Sequence, residues 1–130
     1  MPKRYPAVID RSEDAWGVTF VDLPGICAAG GTLDETLARA AEALADAAAE
    51  YAHDGEPLPA PSPLEDVRLP EGAHALTAIP LVRPTGKARR ANLTLDEGVL
   101  DFIDSEARRR GMTRKAFIEW MAHFVARTAA

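Results

Sequence analysis

Three side chains late in the sequence have the types and spacing to read a nucleic acid. Arg90, Asn92 and Thr94 alternate with Ala91, Leu93 and Leu95 along Lys87-Ala-Arg-Arg-Ala-Asn-Leu-Thr-Leu95. Period two over that length predicts a half-buried strand with the polar three on one face. Arg can bind guanine through two hydrogen bonds and Asn can bind adenine likewise, and a two-stranded ribbon fits the major groove. A lone strand leaves hydrogen-bonding groups bare along both edges. The simplest remedy is a second copy of the chain, the two strands pairing antiparallel across a two-fold axis. Arg90, Asn92 and Thr94 would then each be presented twice. Further on, a helix opening at Thr113 would aim free backbone N–H groups at a phosphate near Thr113 and Arg114, helped by Lys115. Such contacts position a reader, while the strand residues specify sequence.

Other reactive side chains organise less well. Asp10, Asp22 and Glu42 could be read as a carboxylate set for two Mg²⁺ ions. Only Asp10, at a strand end, is well placed, and surface acids are the better reading. His53, His74 and His123 have no ligand spacing. Cys27 has no neighbouring His and reads as a small buried hydrophobe rather than a nucleophile. There is no Gly-rich phosphate loop of the Walker type. The expectation is a protein without catalytic residues, metal or cofactor.

The elements that must position the reading residues follow directly. A first tail helix is expected over about 96–110, with Asp96 and Glu97 in its first turn and Arg108, Arg109 and Arg110 in its last, matching the macrodipole. Gly98 weakens it by roughly 1 kcal/mol against Ala. Val99, Phe102, Ile103 and Ala107 form its apolar face, and Gly111 stops it. Thr113 caps a second helix bearing Phe117, Ile118, Met121, Phe124 and Val125. That stripe is too wide for two helices to cover, so Leu93, Leu95, Phe117, Met121 and Phe124 are assigned to a dimer core. One strand followed by two helices resembles the ribbon-helix-helix family of DNA-binding dimers, whose outward strand residues read bases. The resemblance assigns that role to Arg90, Asn92 and Thr94.

The front of the chain reads as β-β-β-α-β, a small α+β sheet with one helix on a face. Strands are expected over 4–10, 16–21 and 26–29, joined by a Ser12-Glu-Asp14 turn and an Asp22-Leu-Pro-Gly25 turn. Gly30-Gly31 leads into a helix opened by a Thr32-x-x-Glu35 capping box. Leu33, Leu37, Ala41, Leu44, Ala48 and Tyr51 mark its buried face, and Glu42, Asp46 and Glu50 an acidic stripe elsewhere. His53-Asp-Gly55 ends it. Four prolines in residues 56–63 force an irregular extended loop. Glu65–Leu69 is either a short strand or loop, and 73–81 is a better strand. Trp16 is read as core, and Trp120 as core or partly exposed.

Tyr5-Pro-Ala-Val-Ile, Trp16-Gly-Val-Thr-Phe, Asp22-Leu-Pro-Gly25 and Gly30-Gly-Thr-Leu-Asp-Glu35, followed by the Ala-rich helix, resemble the HicB antitoxins. A ribbon-helix-helix tail is one of the C-terminal domains that family uses. Gly31 departs from the family, where many relatives carry Asp, but Thr32 keeps the cap. The resemblance implies a partial RNase H-like sheet in residues 1–82, a linker at 83–86, and a DNA-binding domain over 87–130. It further implies an antitoxin that blocks a small HicA-type mRNA-cleaving toxin and represses its own operon on operator DNA. The toxin-contacting residues are not legible. A stand-alone ribbon-helix-helix regulator, with a ligand-binding or oligomerising front domain, is the alternative.

Composition is compatible with this. The 130 residues carry a net charge of −5. Residues 1–86 hold six Lys and Arg against fourteen Asp and Glu, and residues 87–130 hold nine against six. A front at −8 and a tail at +3 suggest partners of opposite charge. The acidic stripe could meet a basic toxin. No stretch is apolar enough to span a bilayer, no secretory signal is expected, and a lone cysteine cannot form an internal disulfide. A cytoplasmic homodimer is the expectation, with pairing of dimers into tetramers left open.

Overall fold

The computed structural model describes residues 3–83 and 85–128. They form two compact units, one mainly of residues 3–83 and the other of residues 85–125. Pro84, within the expected linker, lies outside the described residues.

The first unit runs β1 (Arg4–Arg11), β2 (Trp16–Phe20), β3 (Cys27–Gly30), α1 (Leu33–His53) and β4 (Ala75–Pro80). The strands form one antiparallel sheet in the order β3-β2-β1-β4. Register places Ala7 beside Phe20 and Thr77, and Ile9 beside Val18 and Ala75. One face therefore collects Tyr5, Ala7, Ile9, Val18, Phe20 and Ile79, all buried against Leu37, Ala40 and Leu44 of α1. Small side chains at Ala40, Ala47 and Ala48 are also buried, as close helix–sheet packing requires.

The start of α1 is fixed by two threonines. Thr32 Oγ1 accepts the Glu35 N–H at 3.1 Å, and the Thr36 hydroxyl donates to the Thr32 carbonyl at 2.7 Å. The Glu35 carboxylate does not complete the box; it pairs with Arg39 one turn on. Gly30 is required here, because a Cβ would lie 2.8 Å from Thr36 Oγ1. At the other end Asp54 caps the helix and Gly55 takes φ +72°.

Of the two readings left open for residues 65–69, the loop is the one found, with a single 3-10 turn over Leu64–Asp66. Other expectations are corrected. Cys27 is exposed, because β3 is an edge strand and Cys27 lies on the face away from α1. Trp16 is half-buried at the margin of the core, with the Arg11 guanidinium 4.8 Å over its ring and His74 edge-on at 5.0 Å. The buried stripe of α1 includes Thr36 and Ala40, while Leu33, Ala41 and Tyr51 are only half-buried.

The irregular connection from α1 to β4 is pinned twice. The Tyr5 hydroxyl donates to the Pro59 carbonyl at 2.7 Å. The Asp22 carboxylate accepts from the Ser62 N–H at 2.7 Å and from Ser62 Oγ at 2.6 Å. Burial, with the Asp22 charge second, raises the Tyr5 phenol above its usual pKa. Asp22 is thus spent on the loop rather than left for a cation.

The second unit contains α2 (Glu97–Arg109) and most of α3 (Arg114–Thr128). Its core is Ile103, Ala107 and Phe117, flanked by Met112, Ile118, Trp120 and Met121.

Candidate functional site

Residues 87–95 have no regular hydrogen-bonded structure, and all nine are exposed. The expected strand does not form a ladder in the single chain. Arg90, Asn92 and Thr94 are exposed, and so are Leu93 and Leu95 between them. Leu93 retains 66% of its surface and Phe102 of α2 62%. Val99 is half exposed as well. An open groove is lined by Lys87, Arg89, Arg90, Leu93, Leu95, Leu100, Arg114 and Ile118 among others. Its walls combine cationic heads with aliphatic floors.

Each end of α2 is built with care. Asp96 Oδ1 accepts from the N–H groups of Gly98 at 2.9 Å and Val99 at 3.2 Å. A Cβ at position 98 would lie 3.2 Å from that same oxygen. The glycine that weakens the helix by propensity therefore makes room for its cap. Gly111 takes φ +68°, and the Met112 N–H returns to the Ala107 carbonyl at 2.8 Å. This closes the turn and hands the chain to α3.

Thr113 Oγ1 accepts the Ala116 N–H at 3.1 Å and caps α3. The Arg114 side chain is engaged within the unit. Its Nε and NH2 groups donate to the two Asp104 oxygens at 2.8 and 2.9 Å, tying α3 to α2. The hydrogen bond from Arg114 holds the Asp104 carboxyl below its usual pKa. Glu106 is lowered in the same way, first by its hydrogen bond from Arg109. Lys115 is largely exposed, with Glu119 at 3.9 Å.

Of the residues assigned to a dimer core, Phe117 is buried within the single chain and Met121 is half-buried. Sequence reasoning missed an aromatic ladder. Phe117, Trp120 and Phe124 stack at centroid distances of 5.6 and 5.2 Å, and Arg110 lies 4.5 Å above Trp120. The signal was present: three aromatics at i, i+3 and i+7 place their rings in one column.

On the first unit, Glu42, Asp46 and Glu50 are all exposed along α1. Among the described residues no cluster of His, Cys, Asp and Glu has the geometry to hold a metal ion. No helix of the described residues is long and apolar enough to cross a membrane.

A four-stranded antiparallel sheet under one helix, followed by a two-helix unit, defines a small α+β protein. Residues 5–122 match the family described as the HicB-like antitoxin of bacterial toxin-antitoxin systems, and the chain belongs to that family. It is 30% identical over 92 residues to Antitoxin HicB 2 of Photorhabdus laumondii, covering 71% of this chain and 66% of that protein. Its fold is similar to the crystal structure of the Burkholderia pseudomallei antitoxin HicB (TM-score 0.54, 22% identity, 92% of this chain and 93% of that one). A chain of the HicA3 and HicB3 toxin-antitoxin complex is similar as well (TM-score 0.50, 26% identity, 62% of this chain and 98% of that one).

Proposed function

We propose that this antitoxin neutralises a HicA-type toxin with residues 1–82 and represses its own operon with residues 87–130, joined by the linker at 83–86. Neutralisation is steric and needs no catalysis. Family membership and the similarity to a chain of a HicA3–HicB3 complex support the choice of partner. The sheet with its single helix reads as a partial RNase H-like fold. The acidic side of α1, with Glu42, Asp46 and Glu50, suits a basic RNA-cleaving partner. The protein works in the cytoplasm, where both toxin and operator lie.

The tail reading rests on one observation. Residues 87–95 lack regular structure in the single chain while Leu93 and Leu95 remain exposed beside them. A second copy pairing antiparallel along this stretch forms a ribbon-helix-helix dimer. It supplies the missing ladder and covers Leu93, Leu95, Met121 and Phe124 above the buried Phe117. Arg90, Asn92 and Thr94 then read base edges from the ribbon. The N-terminus of α3 at Thr113, with Lys115, grips phosphate. Arg114 contributes its backbone N–H there, its side chain being held by Asp104.

One experiment tests both halves. The full chain carrying Arg90→Ala and Asn92→Ala is co-expressed with the toxin and assayed on the upstream DNA. The expected result is retained rescue of growth with loss of the operator complex. Unchanged DNA binding by the folded double variant refutes the tail assignment, and failure of the wild-type chain to rescue growth refutes the toxin assignment.

A further inference from the structure

The first unit is acidic overall, yet three of its six cationic residues gather at one end of the sheet. Arg4 opens β1 directly opposite Pro80, which closes β4. The Leu81 N–H extends that pairing to the Lys3 carbonyl at 2.8 Å, and Arg83 follows two residues later. Among the described residues, ion pairs are made by Arg39, Arg109, Arg110, Arg114 and Lys115. Neither Lys3 nor Arg83 pairs with an acid among them. Cations gathered without acids repel one another, and an anion beside them relieves that repulsion.

A cavity of about 510 Å³ opens beside them, wholly within the first unit. Lys3, Arg83 and Glu56 supply its charges, and Pro57, Leu58 and Leu81 its apolar wall. Leu58 and Leu81 are half-buried and pack against the core, so the wall belongs to the folded unit rather than to a loose rim. Arg83 is held as well: its guanidinium donates to the Ala48 carbonyl at 3.0 Å. That bond fixes the group while engaging only part of its fork of N–H donors. Small-molecule sites have this character, apolar walls with a few charged groups at fixed positions.

We infer that this cavity binds a small monocarboxylate with a hydrocarbon body. The carboxylate takes the Arg83 fork, whose parallel donors match its two oxygens, with the Lys3 ammonium beside it. The hydrocarbon lies against Leu58 and Leu81. Glu56 disfavours a second negative charge, so the ligand carries one acidic group rather than two. Among the described residues that line the cavity none has a hydroxyl or amide side chain, so nothing orients a sugar or a nucleobase. An occupant touches the start of β1, the connection after α1 and the chain beyond β4 at once, and stabilises the first unit by mass action. The site does not rest on the toxin or operator readings.

The test is an NMR titration of the full chain, labelled with nitrogen-15, using octanoate as the probe up to about 10 mM. The expected result is saturable movement of the Leu58, Leu81 and Arg83 amide signals. Acetate, the head without the body, and octanol, the body without the head, should each bind at least about tenfold more weakly. Lys3→Glu changes an exposed side chain, so the spectrum should stay that of the folded chain while octanoate binds at least about tenfold more weakly. Should Lys3→Glu fail to fold, Lys3→Gln serves in its place with weakening of about threefold as the criterion. No saturable movement with octanoate overturns the assignment. So does octanol or inorganic phosphate binding as tightly as octanoate, or an unchanged affinity in the folded Lys3 variant.

Discussion

Leu93→Ala measures how much of the tail is built for a second copy. Leu93 keeps 66% of its surface exposed in the single chain, so about two-thirds of its burial energy remains to be gained. Trimming Leu to Ala removes three carbons, worth about 2.4 kcal/mol at roughly 0.8 per carbon when fully buried. About 1.6 kcal/mol of that belongs to association and about 0.8 kcal/mol to the isolated unit, by the same per-carbon estimate. A symmetric dimer loses the first part twice, or about 3 kcal/mol, which raises its dissociation constant roughly 100- to 200-fold. Sedimentation equilibrium on the full chain reads this directly. Urea unfolding of the same variant should show only the small intrinsic loss. A folded Leu93→Ala chain with the parent's dissociation constant would refute the reasoning, because Leu93 would then face water in the assembly too.

Further outcomes follow from contacts already described. Asp22→Ala removes both anchors on Ser62 and should destabilise the first unit by about 2–3 kcal/mol in urea, since hydrogen bonds to a carboxylate rank among the stronger ones. A loss below about 0.5 kcal/mol would mean that the loop is held without them. In a carbon-detected NMR titration the Asp104 carboxyl should titrate below the ordinary aspartate value of about 3.9, and Arg114→Gln should return it upward. Because the folded value is the lower one, the pair's contribution is present above the unfolded value and is lost as pH falls through the folded value. The helix-to-helix tie is therefore unaffected at neutral pH and weakens only in strong acid.

Much of the architecture could be read from local pattern. Thr32, the alanine-rich period of α1 and the alternation of Trp16, Val18 and Phe20 each specify their element within a few residues. What escaped reading depended on distance in sequence. Asp22 and Ser62 lie forty residues apart, and nothing local to either marks the other. Arg114 and Asp104 lie on different helices, and only the turn at Gly111 brings them within reach of each other. Cys27 was misjudged because the apolar character of a residue does not reveal that its strand lies at an edge. The tail strand was misjudged for a different reason. Alternation specifies a strand's faces, but not the partner that would supply its hydrogen bonds. The exposed face of Arg90, Asn92 and Thr94 agrees with the alternation, whereas the exposure of Leu93 and Phe102 required coordinates.

The two pins on the α1-to-β4 connection also decide where this protein can accept new sequence. Only Ala60 and Pro61 separate Tyr5's hold on Pro59 from Asp22's hold on Ser62, so residues added there should break one anchor or the other. Beyond Ser62 the constraint ends. The turn at Pro70–Ala73 is closed by one backbone hydrogen bond of 3.1 Å, and Gly72 already adopts φ +85° with open space around it. Lengthening a surface loop adds little entropy, roughly 0.6 kcal/mol for each doubling. An epitope tag or fluorophore-bearing peptide placed after Glu71 should leave the sheet and both pins untouched, giving a handle on the antitoxin far in sequence from residues 87–95.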